Sequence, residues 1–350
     1  MPDIARALAQ QVRTAAADRS PLVIQGGGSR SFLVRLPDLT QLAVDGHTGI
    51  VAYDPRELVV TARAGTRLDE LEAELAASGQ MLAFEPPHFS DQATLGGAVA
   101  SGLSGPRRAY CGAVRDFVLG CRVLDGHGKQ LNFGGQVIKN VAGYDVSRLM
   151  AGAWGTLGVL LEVSLKVLPQ PRASMTVVQS CTAGAALERM RELARLPLPL
   201  DASCHRDGRL YLRLSGSQNA VEAARRKLGG ETLADSREFW CGLRDHALPF
   251  FSGQPLWRLS LPPAVALLPL AGDWLLEWGG ALRWLKTDAP VEQVRAAAEQ
   301  AGGHAMLFRG GARHDFFHPL PAPLLALHQR LKQGFDPQGL FNPGLMAEAL

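Results

Sequence analysis

The segment Lys139–Val159, KNVAGYDVSRLMAGAWGTLGV, constrains the fold most, because its glycines are spaced neither for a regular helix nor for a packed core. Gly143, Gly152, Gly155 and Gly158 interrupt an otherwise apolar frame. Glycine adopts positive φ angles and lets a ligand approach the main chain without a Cβ atom in the way. The spacing fits a loop that cradles a cofactor, and it equally fits ordinary turns around a short helix.

Two other segments rich in small residues favour the cofactor interpretation. Residues 23–30 run VIQGGGSR, an apolar strand-like run followed by three glycines and two hydrogen-bonding side chains. Successive backbone N–H groups in such a loop bind anions. Residues 87–105 contain a run of small residues with almost nothing bulky between them, namely Thr94, Gly96, Gly97, Ala100 and Ser101. A dinucleotide-binding GxGxxG loop is the weaker interpretation, because Ser31 stands where that motif requires its third glycine.

Together with the terminal FDPQGLFNPG, these segments resemble the flavoprotein family of vanillyl-alcohol oxidase and p-cresol methylhydroxylase. Within that family, KNVAGYD, GTLGV and FDPQGLFNPG resemble the bacterial glycolate oxidase group. The resemblance implies an α+β fold with three parts. Residues 1–171 would form a two-subdomain FAD-binding domain, residues 172–319 an α+β cap domain with an antiparallel sheet, and residues 320–350 a C-terminal helix and tail that return to the first domain.

The resemblance also implies that FAD binds along the glycine-rich segments. The GGGSR loop would wrap the pyrophosphate, residues 94–101 would run beneath the flavin, and residues 141–145 and 156–159 would contact the adenine and ribose end and the ring system. The expected FAD-binding residues are Gly26, Gly27, Gly28, Ser29, Arg30, Pro87, Thr94, Leu95, Gly96, Gly97, Ala100, Ser101, Gly105, Val141, Gly143, Asp145, Gly155, Thr156, Gly158, Val159 and Asn342.

Departures from the family pattern refine this expectation. Many relatives carry a histidine in the first glycine loop that bonds covalently to the flavin, whereas no histidine lies between Gln25 and Ser31. We therefore expect FAD to be held non-covalently. Ala98 and Gly102 stand where the family often has asparagine. Both departures remove side-chain hydrogen bonds to a flavin.

The implied chemistry is oxidation of glycolate to glyoxylate, in which flavin N5 takes a hydride from C2 while a base removes the hydroxyl proton. No catalytic base is identified in the sequence, and the HxGDGNxH motif of the resembled catalytic subunit is not found. We therefore expect an FAD-binding subunit that is accessory to a paralogous catalytic flavoprotein and an iron–sulfur subunit. Two alternatives stay open: a self-sufficient dehydrogenase of a small 2-hydroxy acid such as lactate, and a scaffold whose flavin is structural or lost.

Histidines and arginines outside the glycine-rich segments allow more than one interpretation. His314 and His318 stand four residues apart, which on a helix would suit a metal, but the flanking glycines and proline favour an ordinary surface position, and no metal site is predicted. The role of these two histidines and of His304 stays undetermined. Arg107 and Arg108 would face a phosphate or a carboxylate, or would be solvated, which is the commoner outcome.

Composition limits the class and the compartment. A net charge of +3, well mixed along the chain, does not favour nucleic acid as a partner. Five separated cysteines indicate reduced thiols in the cytoplasm and exclude a cysteine-ligated iron–sulfur cluster within this chain, so electrons leaving a flavin need another protein. No apolar run approaches the roughly 20 residues of a membrane span, although peripheral association through a partner stays compatible with the sequence.

Hydrophobic patterns predict the main elements. Thr66 and Asp69 fit a capping box for a helix with Leu68, Leu71 and Leu75 on its buried side. Residues 117–124 and 129–133 fit a hairpin. Further strands are predicted at 160–167, 174–180, 210–214, 256–261, 274–278 and 282–285, and helices at 185–196, 221–228, 291–301 and 324–333.

Overall fold

The computed structural model describes residues 4–33, 39–135, 145–253, 255–311 and 316–350, which fall into two compact units. The first unit draws on the ranges 1–104, 113–170 and 319–350. The second draws on 105–112 and 171–318. Within the described ranges, no helix combines the length and the apolar character that crossing a bilayer requires.

Both units contain helices and strands. The helices are α1 (Ile4–Asp18), α2 (Leu68–Ala77), α3 (Leu95–Ser101), α4 (Arg108–Cys111), α5 (Val114–Phe117), α6 (Val146–Leu149), α7 (Ala183–Leu193), α8 (Gln218–Leu228), α9 (Ser236–Arg244), α10 (Val291–Gln300) and α11 (Ala322–Phe335). The strands are β1 (Leu22–Gln25), β2 (Thr40–Ala43), β3 (Ile50–Asp54), β4 (Val59–Arg63), β5 (Gln80–Met81), β6 (Val118–Leu124), β7 (Gln130–Gly134), β8 (Val159–Lys166), β9 (Leu168–Pro169), β10 (Ala173–Ser180), β11 (Leu200–Arg206), β12 (Arg209–Gly216), β13 (Glu231–Thr232), β14 (Leu256–Ser260), β15 (Asp273–Glu277), β16 (Leu282–Lys286) and β17 (His304–Arg309).

Two sheets organise the first unit. Strands β1 and β2 form a parallel pair, and an antiparallel five-stranded sheet has the order β3-β4-β8-β6-β7. Strand β8 lies in the middle of the larger sheet and is buried on both faces, which explains why its sequence VLLEVSLK is apolar almost throughout. The chain end joins the smaller sheet: Leu22 N–H donates to the Leu340 carbonyl at 2.7 Å, and Asn342 N–H donates to the Leu22 carbonyl at 3.0 Å.

Helix α2 shows how a tertiary contact replaces a predicted cap. The three leucines of its stripe, Leu68, Leu71 and Leu75, are fully buried, as predicted. The capping box is wrong, because the N-cap residue is Arg67, which makes no side-chain cap hydrogen bond. The Thr66 hydroxyl instead accepts a hydrogen bond from Gly49 N–H at 2.9 Å, so it ties the helix start to the turn before β3.

The second unit contains the predicted antiparallel sheet, with eight strands in the order β13-β10-β12-β11-β15-β16-β14-β17. Helices α7 and α8 pack against the first four strands, and α10 packs against the last four through Val294 and Ala298. The sequence patterns missed β11, β17 and α9. Strand β11 was missed because its sequence LDASCHR does not alternate, and the strand is buried on both faces although it carries polar residues.

An aromatic cluster in the second unit encloses one histidine. The His246 ring stacks on Phe251 with 4.0 Å between ring centroids and meets the edge of Trp284 at 4.6 Å. Burial, followed by the charges of Arg309 and Arg258, holds the pKa of His246 well below its usual value of 6.5. The folded protein therefore keeps this imidazole neutral, while the unfolded chain takes up a proton below about pH 6.5.

We expect His246 to make folding sensitive to mild acid. Because the unfolded state binds the additional proton, the free energy of unfolding falls as pH drops below about 6.5, by at most about 1.4 kcal/mol per pH unit for one group. His246→Phe should make this slope shallower. Urea unfolding between pH 8 and pH 5 measures it, with His127→Phe in the exposed β6–β7 turn as the matched control. Equal slopes for both variants and the native chain would contradict the assignment.

Candidate functional site

A cavity of about 610 Å³ lies in the first unit, between the loop after β1, helix α3, the loop after α6 and the chain end. It brings together residues that are far apart in the sequence. The predicted residues that line it are Gly26, Gly27, Gly28, Ser29, Arg30, Thr94, Gly96, Gly97, Ala100, Ser101, Gly155, Gly158 and Asn342. Val23, Gln41, Ala64, Met150, Trp154 and Leu345 complete much of the remaining wall and were not predicted.

The loop after β1 presents main-chain donors at the cavity wall. No described residue accepts a hydrogen bond from the amide nitrogens of Gly27, Gly28 or Ser29. Gly28 has a φ angle of +69°, and a Cβ atom at Gly27 would overlap the carbonyl oxygen of Gln92. Only glycine fits at Gly27 and Gly28 in this loop conformation. The conformation leaves successive N–H groups available, and such groups bind anions.

Arg30 adds a positive charge to this loop and is held by its neighbours. Its Nη2 donates to the carbonyl oxygen of Pro87 at 2.6 Å, and its Nη1 donates to the Ser29 hydroxyl at 3.2 Å. The guanidinium also lies 5.7 Å from the ring centroid of Phe89. Pro87 thus does not line the cavity but anchors the cation that does.

Residues 95–101 form the short helix α3, whereas only a run of small residues was recognised in the sequence. Thr94 is its N-cap, and its hydroxyl accepts from Gly97 N–H at 3.3 Å. Gly96 packs so closely on Ala64 that an added Cβ would lie 2.7 Å from the alanine Cβ. Leu95 is fully buried and supports the helix from behind the cavity.

Gly102 explains one departure from the family pattern. It ends α3 in the left-handed conformation, with a φ angle of +67°. A Cβ atom there would lie 2.8 Å from Cα of Gly152. The asparagine that is frequent in the resembled family would clash with this close approach of two glycine-containing turns.

Asn342 connects the chain end to two other parts of the wall. Its Oδ1 accepts from Ile24 N–H at 2.9 Å, and its Nδ2 donates to the Trp154 carbonyl at 2.8 Å. It adopts a φ angle of +44°, which asparagine tolerates better than most residues. Gly155, with a φ angle of +70°, packs against this amide: an added Cβ would lie 2.8 Å from Asn342 Nδ2.

Lys332 and Asp336 support the same wall and were missed in the sequence. Lys332 Nζ donates to the carbonyl oxygens of Thr156 at 2.7 Å and Phe341 at 2.8 Å, and to Asp336 Oδ2 at 2.8 Å. Asp336 also accepts from the amide nitrogens of Leu340 and Phe341. Burial lowers the pKa of Lys332, and the Asp336 carboxylate opposes that shift. The only sequence signal was the i,i+4 spacing of opposite charges.

The other predicted residues lie elsewhere. Asp145 and Thr156 line a separate cavity of about 670 Å³ in the first unit, together with Arg148 and His328. Val159 is fully buried in β8. Gly105 belongs to the second unit, where its carbonyl accepts from Trp278 Nε1 at 2.9 Å. Val141 and Gly143 lie outside the described residues.

Arg107 and His318 do not line the cavity, and each lies beside a carboxylate. The solvated interpretation of Arg107 is wrong, because its Nη2 lies 2.7 Å from Asp201 Oδ2 and its side chain is 13% exposed. His318 Nε2 lies 2.9 Å from Glu299 Oε1. His314 falls outside the described residues, and among the residues that are described no three metal-ligating side chains lie close enough to hold a metal ion.

Comparison with known proteins agrees with this architecture. A family model described as an FAD binding domain matches residues 1–134. The chain is 52% identical over 345 residues to the glycolate oxidase subunit GlcE of Escherichia coli (strain K12), which covers 98% of this chain and 97% of that protein. It is 32% identical over 131 residues to the glycolate oxidase subunit GlcD of Bacillus subtilis (strain 168), covering 37% and 27% of the two chains.

Solved structures share the fold. An alkyldihydroxyacetonephosphate synthase matches with a TM-score of 0.66 at 16% identity, over 97% of this chain and 74% of that chain. At this identity the likeness shows the fold alone. The predicted α+β architecture of an FAD-binding domain with an antiparallel cap sheet is confirmed.

We expect Lys332→Met to destabilise the first unit. The change leaves the buried Asp336 carboxylate without its cation and two carbonyl oxygens without their donor, which costs about 3 kcal/mol. Urea unfolding measures the loss. Lys129→Met, at an exposed position of the β6–β7 turn, is the control and should change stability by about 0.5 kcal/mol or less. A loss in Lys332→Met as small as in the control would show that the pair does not support the fold.

Proposed function

Because the chain belongs to the same family as the E. coli glycolate oxidase subunit GlcE, we propose that it is the FAD-binding subunit of a glycolate oxidase, an oxidoreductase that converts glycolate to glyoxylate. The observation that carries this proposal is the cavity of the first unit. Its wall combines available amide N–H groups, a fixed guanidinium and a floor of small residues.

The residues of this cavity fit FAD. The amide groups of Gly27, Gly28 and Ser29, with Arg30, supply donors and a positive charge that suit a diphosphate. Gly96, Gly97 and Ala100 leave room along α3, where larger side chains would fill the cavity. We assign non-covalent binding, since the loop contains no histidine to bond with the ring.

Bound flavin supplies an acceptor for the hydride that leaves C2 of a 2-hydroxy acid. The protein residues at this cavity bind and orient: Arg30 neutralises charge, Asn342 fixes the main chain of Ile24 and Trp154, and the apolar side chains exclude water. Such amide, hydroxyl and apolar groups position a cofactor and do not transfer the substrate's hydroxyl proton at neutral pH.

We therefore propose that the substrate's proton is removed in a partner, a paralogous FAD-containing catalytic subunit, and that an iron–sulfur subunit accepts the electrons. The similarity of this chain to a protein named as another glycolate oxidase subunit, GlcD, supports a paralogous partner. The five cysteines are free thiols, and a thiolate-ligated cluster would need them grouped. We place the complex in the cytoplasm, where peripheral association with the membrane would run through these partners.

An absorption spectrum of the purified chain, recorded before and after anaerobic addition of glycolate, tests whether substrate oxidation requires the partner subunit. We expect the absorption of a bound flavin, and we expect that glycolate does not bleach it. Bleaching would make the chain a dehydrogenase in its own right and exclude the accessory role. A colourless chain that still assembles with its partners would favour a scaffold.

Gly27→Ala should reduce FAD binding by at least about tenfold, the equivalent of 1.4 kcal/mol. The added methyl group overlaps the Gln92 carbonyl, so the loop must shift and withdraw its amide groups. The control is Gly46→Ala, where nothing lies within 4 Å of the added atom. Fluorescence titration of the apoprotein with FAD measures both affinities. Native affinity in Gly27→Ala would show that this loop does not bind the cofactor.

A further inference from the structure

Trp154 lies at the wall of the cavity in the first unit, in a backbone conformation that suits other residue types better. Its φ angle is +52°, and that of Gly155 is +70°. Thr156 N–H donates to the Ala153 carbonyl oxygen at 2.9 Å, so residues 153–156 form a tight turn with two successive positive φ angles. Turns of this kind favour asparagine, aspartate or glycine at both central positions. Tryptophan at the first central position is therefore strained.

Hydrogen bonds from two sides hold Trp154 in this conformation. Its N–H donates to the Ala100 carbonyl oxygen of α3 at 2.8 Å, and its own carbonyl oxygen accepts from Asn342 Nδ2 at 2.8 Å. Backbone strain persists only where the surrounding structure enforces it, and it is concentrated at functional sites and ligand contacts. The turn thus presents the side chain of residue 154 from a fixed main chain.

The place of Trp154 differs from that of most other tryptophans in the chain. Trp240, Trp257, Trp278 and Trp284 of the second unit are each at most 5% exposed, as expected of core residues. Trp154 is half-buried, so part of its surface stays accessible to other molecules. Among the described residues that line the cavity, Trp154 alone is aromatic.

The neighbouring wall suits a planar ring. Gly97, Ala100 and Ser101 of α3 line the cavity with small side chains or none, and the hydrogen bond to Ala100 places the Trp154 main chain next to them. FAD carries two planar aromatic systems, adenine and isoalloxazine. An indole attracts such rings in an offset-stacked arrangement, which also removes apolar surface of both partners from water.

We propose that Trp154 binds FAD by stacking its indole on one planar ring of the cofactor. The inference rests on the FAD binding proposed above, and it adds the residue that recognises a ring where the glycine-rich loop recognises the diphosphate. It also explains why this turn carries tryptophan, because contact with the cofactor offsets a conformation that destabilises the apoprotein.

Trp154→Asn tests the stacking, since asparagine removes the ring and suits the turn. We expect the affinity of the full-length apoprotein for FAD, measured by isothermal titration calorimetry, to fall at least about tenfold. The urea midpoint of the apoprotein should stay the same or rise. Trp154→Tyr, which keeps an aromatic ring, should bind FAD more tightly than Trp154→Asn. A purely structural tryptophan would give the opposite pattern, a lower urea midpoint with native FAD affinity.

Leu58→Asn is the matched control. Leu58 is also half-buried in the first unit, has a φ angle of +57° and does not line the cavity. The same change of a strained apolar residue to asparagine should leave the affinity for FAD at the native value. An equal loss in both variants would overturn the assignment.

ADP identifies which ring is stacked, because it carries adenine without isoalloxazine. If Trp154 stacks on adenine, Trp154→Asn weakens ADP and FAD binding alike. If it stacks on isoalloxazine, the affinity for ADP is unchanged, and the fluorescence of the bound flavin rises in the variant because the quenching indole is gone. Either result supports the proposal.

The outcomes separate this inference from the proposed function. Native FAD affinity in Trp154→Asn would overturn the stacking and leave the proposed cofactor site intact. A native chain that binds neither FAD nor ADP would overturn both. Trp154→Leu gives the same comparison if Trp154→Asn does not fold, since Leu58 shows that this chain accommodates leucine at such a φ angle.

Discussion

Lys332 and Asp336 face each other across the last turn of α11, and the wall of the cofactor cavity depends on their contact. The ammonium group holds the carbonyls of Thr156 and Phe341, and the carboxylate holds the amides of Leu340 and Phe341. Residues 340–342 then lie beside β1, where the Asn342 amide reaches Ile24 and Trp154. One buried ion pair therefore connects the chain end, the first strand and the glycine-rich loop before β8. A buried pair of this kind tolerates little change, because each partner alone would be an uncompensated charge.

Close approach of backbone segments is the second constraint on the cavity. Gly27 lies against Gln92, Gly96 against Ala64, and Gly102 against Gly152. These contacts leave no space for a Cβ atom, so the cavity keeps its shape only with glycine at each position. The same contacts leave amide N–H groups turned away from regular secondary structure. The surface that we propose for the FAD diphosphate thus arises from packing between loops.

The two units carry different kinds of polar group. The cavity of the first unit is lined by main-chain amides, hydroxyl groups and the anchored Arg30. The second unit gathers guanidinium groups around Trp278 and places neutral His246 in an aromatic cluster.

The sequence by itself determined the positions at which the backbone needs glycine, the apolar central strand β8, the leucine stripe of α2 and most of the strands and helices of the second unit. These features follow from local geometry and hydrophobic period, which neighbouring residues specify. Tertiary structure alone decided that the Thr66 hydroxyl serves Gly49 and not its own helix, that Lys332 is buried, and that Arg108 and Arg258 meet at one indole. Those outcomes depend on strand order and on contacts between residues 17 to 176 positions apart, and no local pattern encodes them.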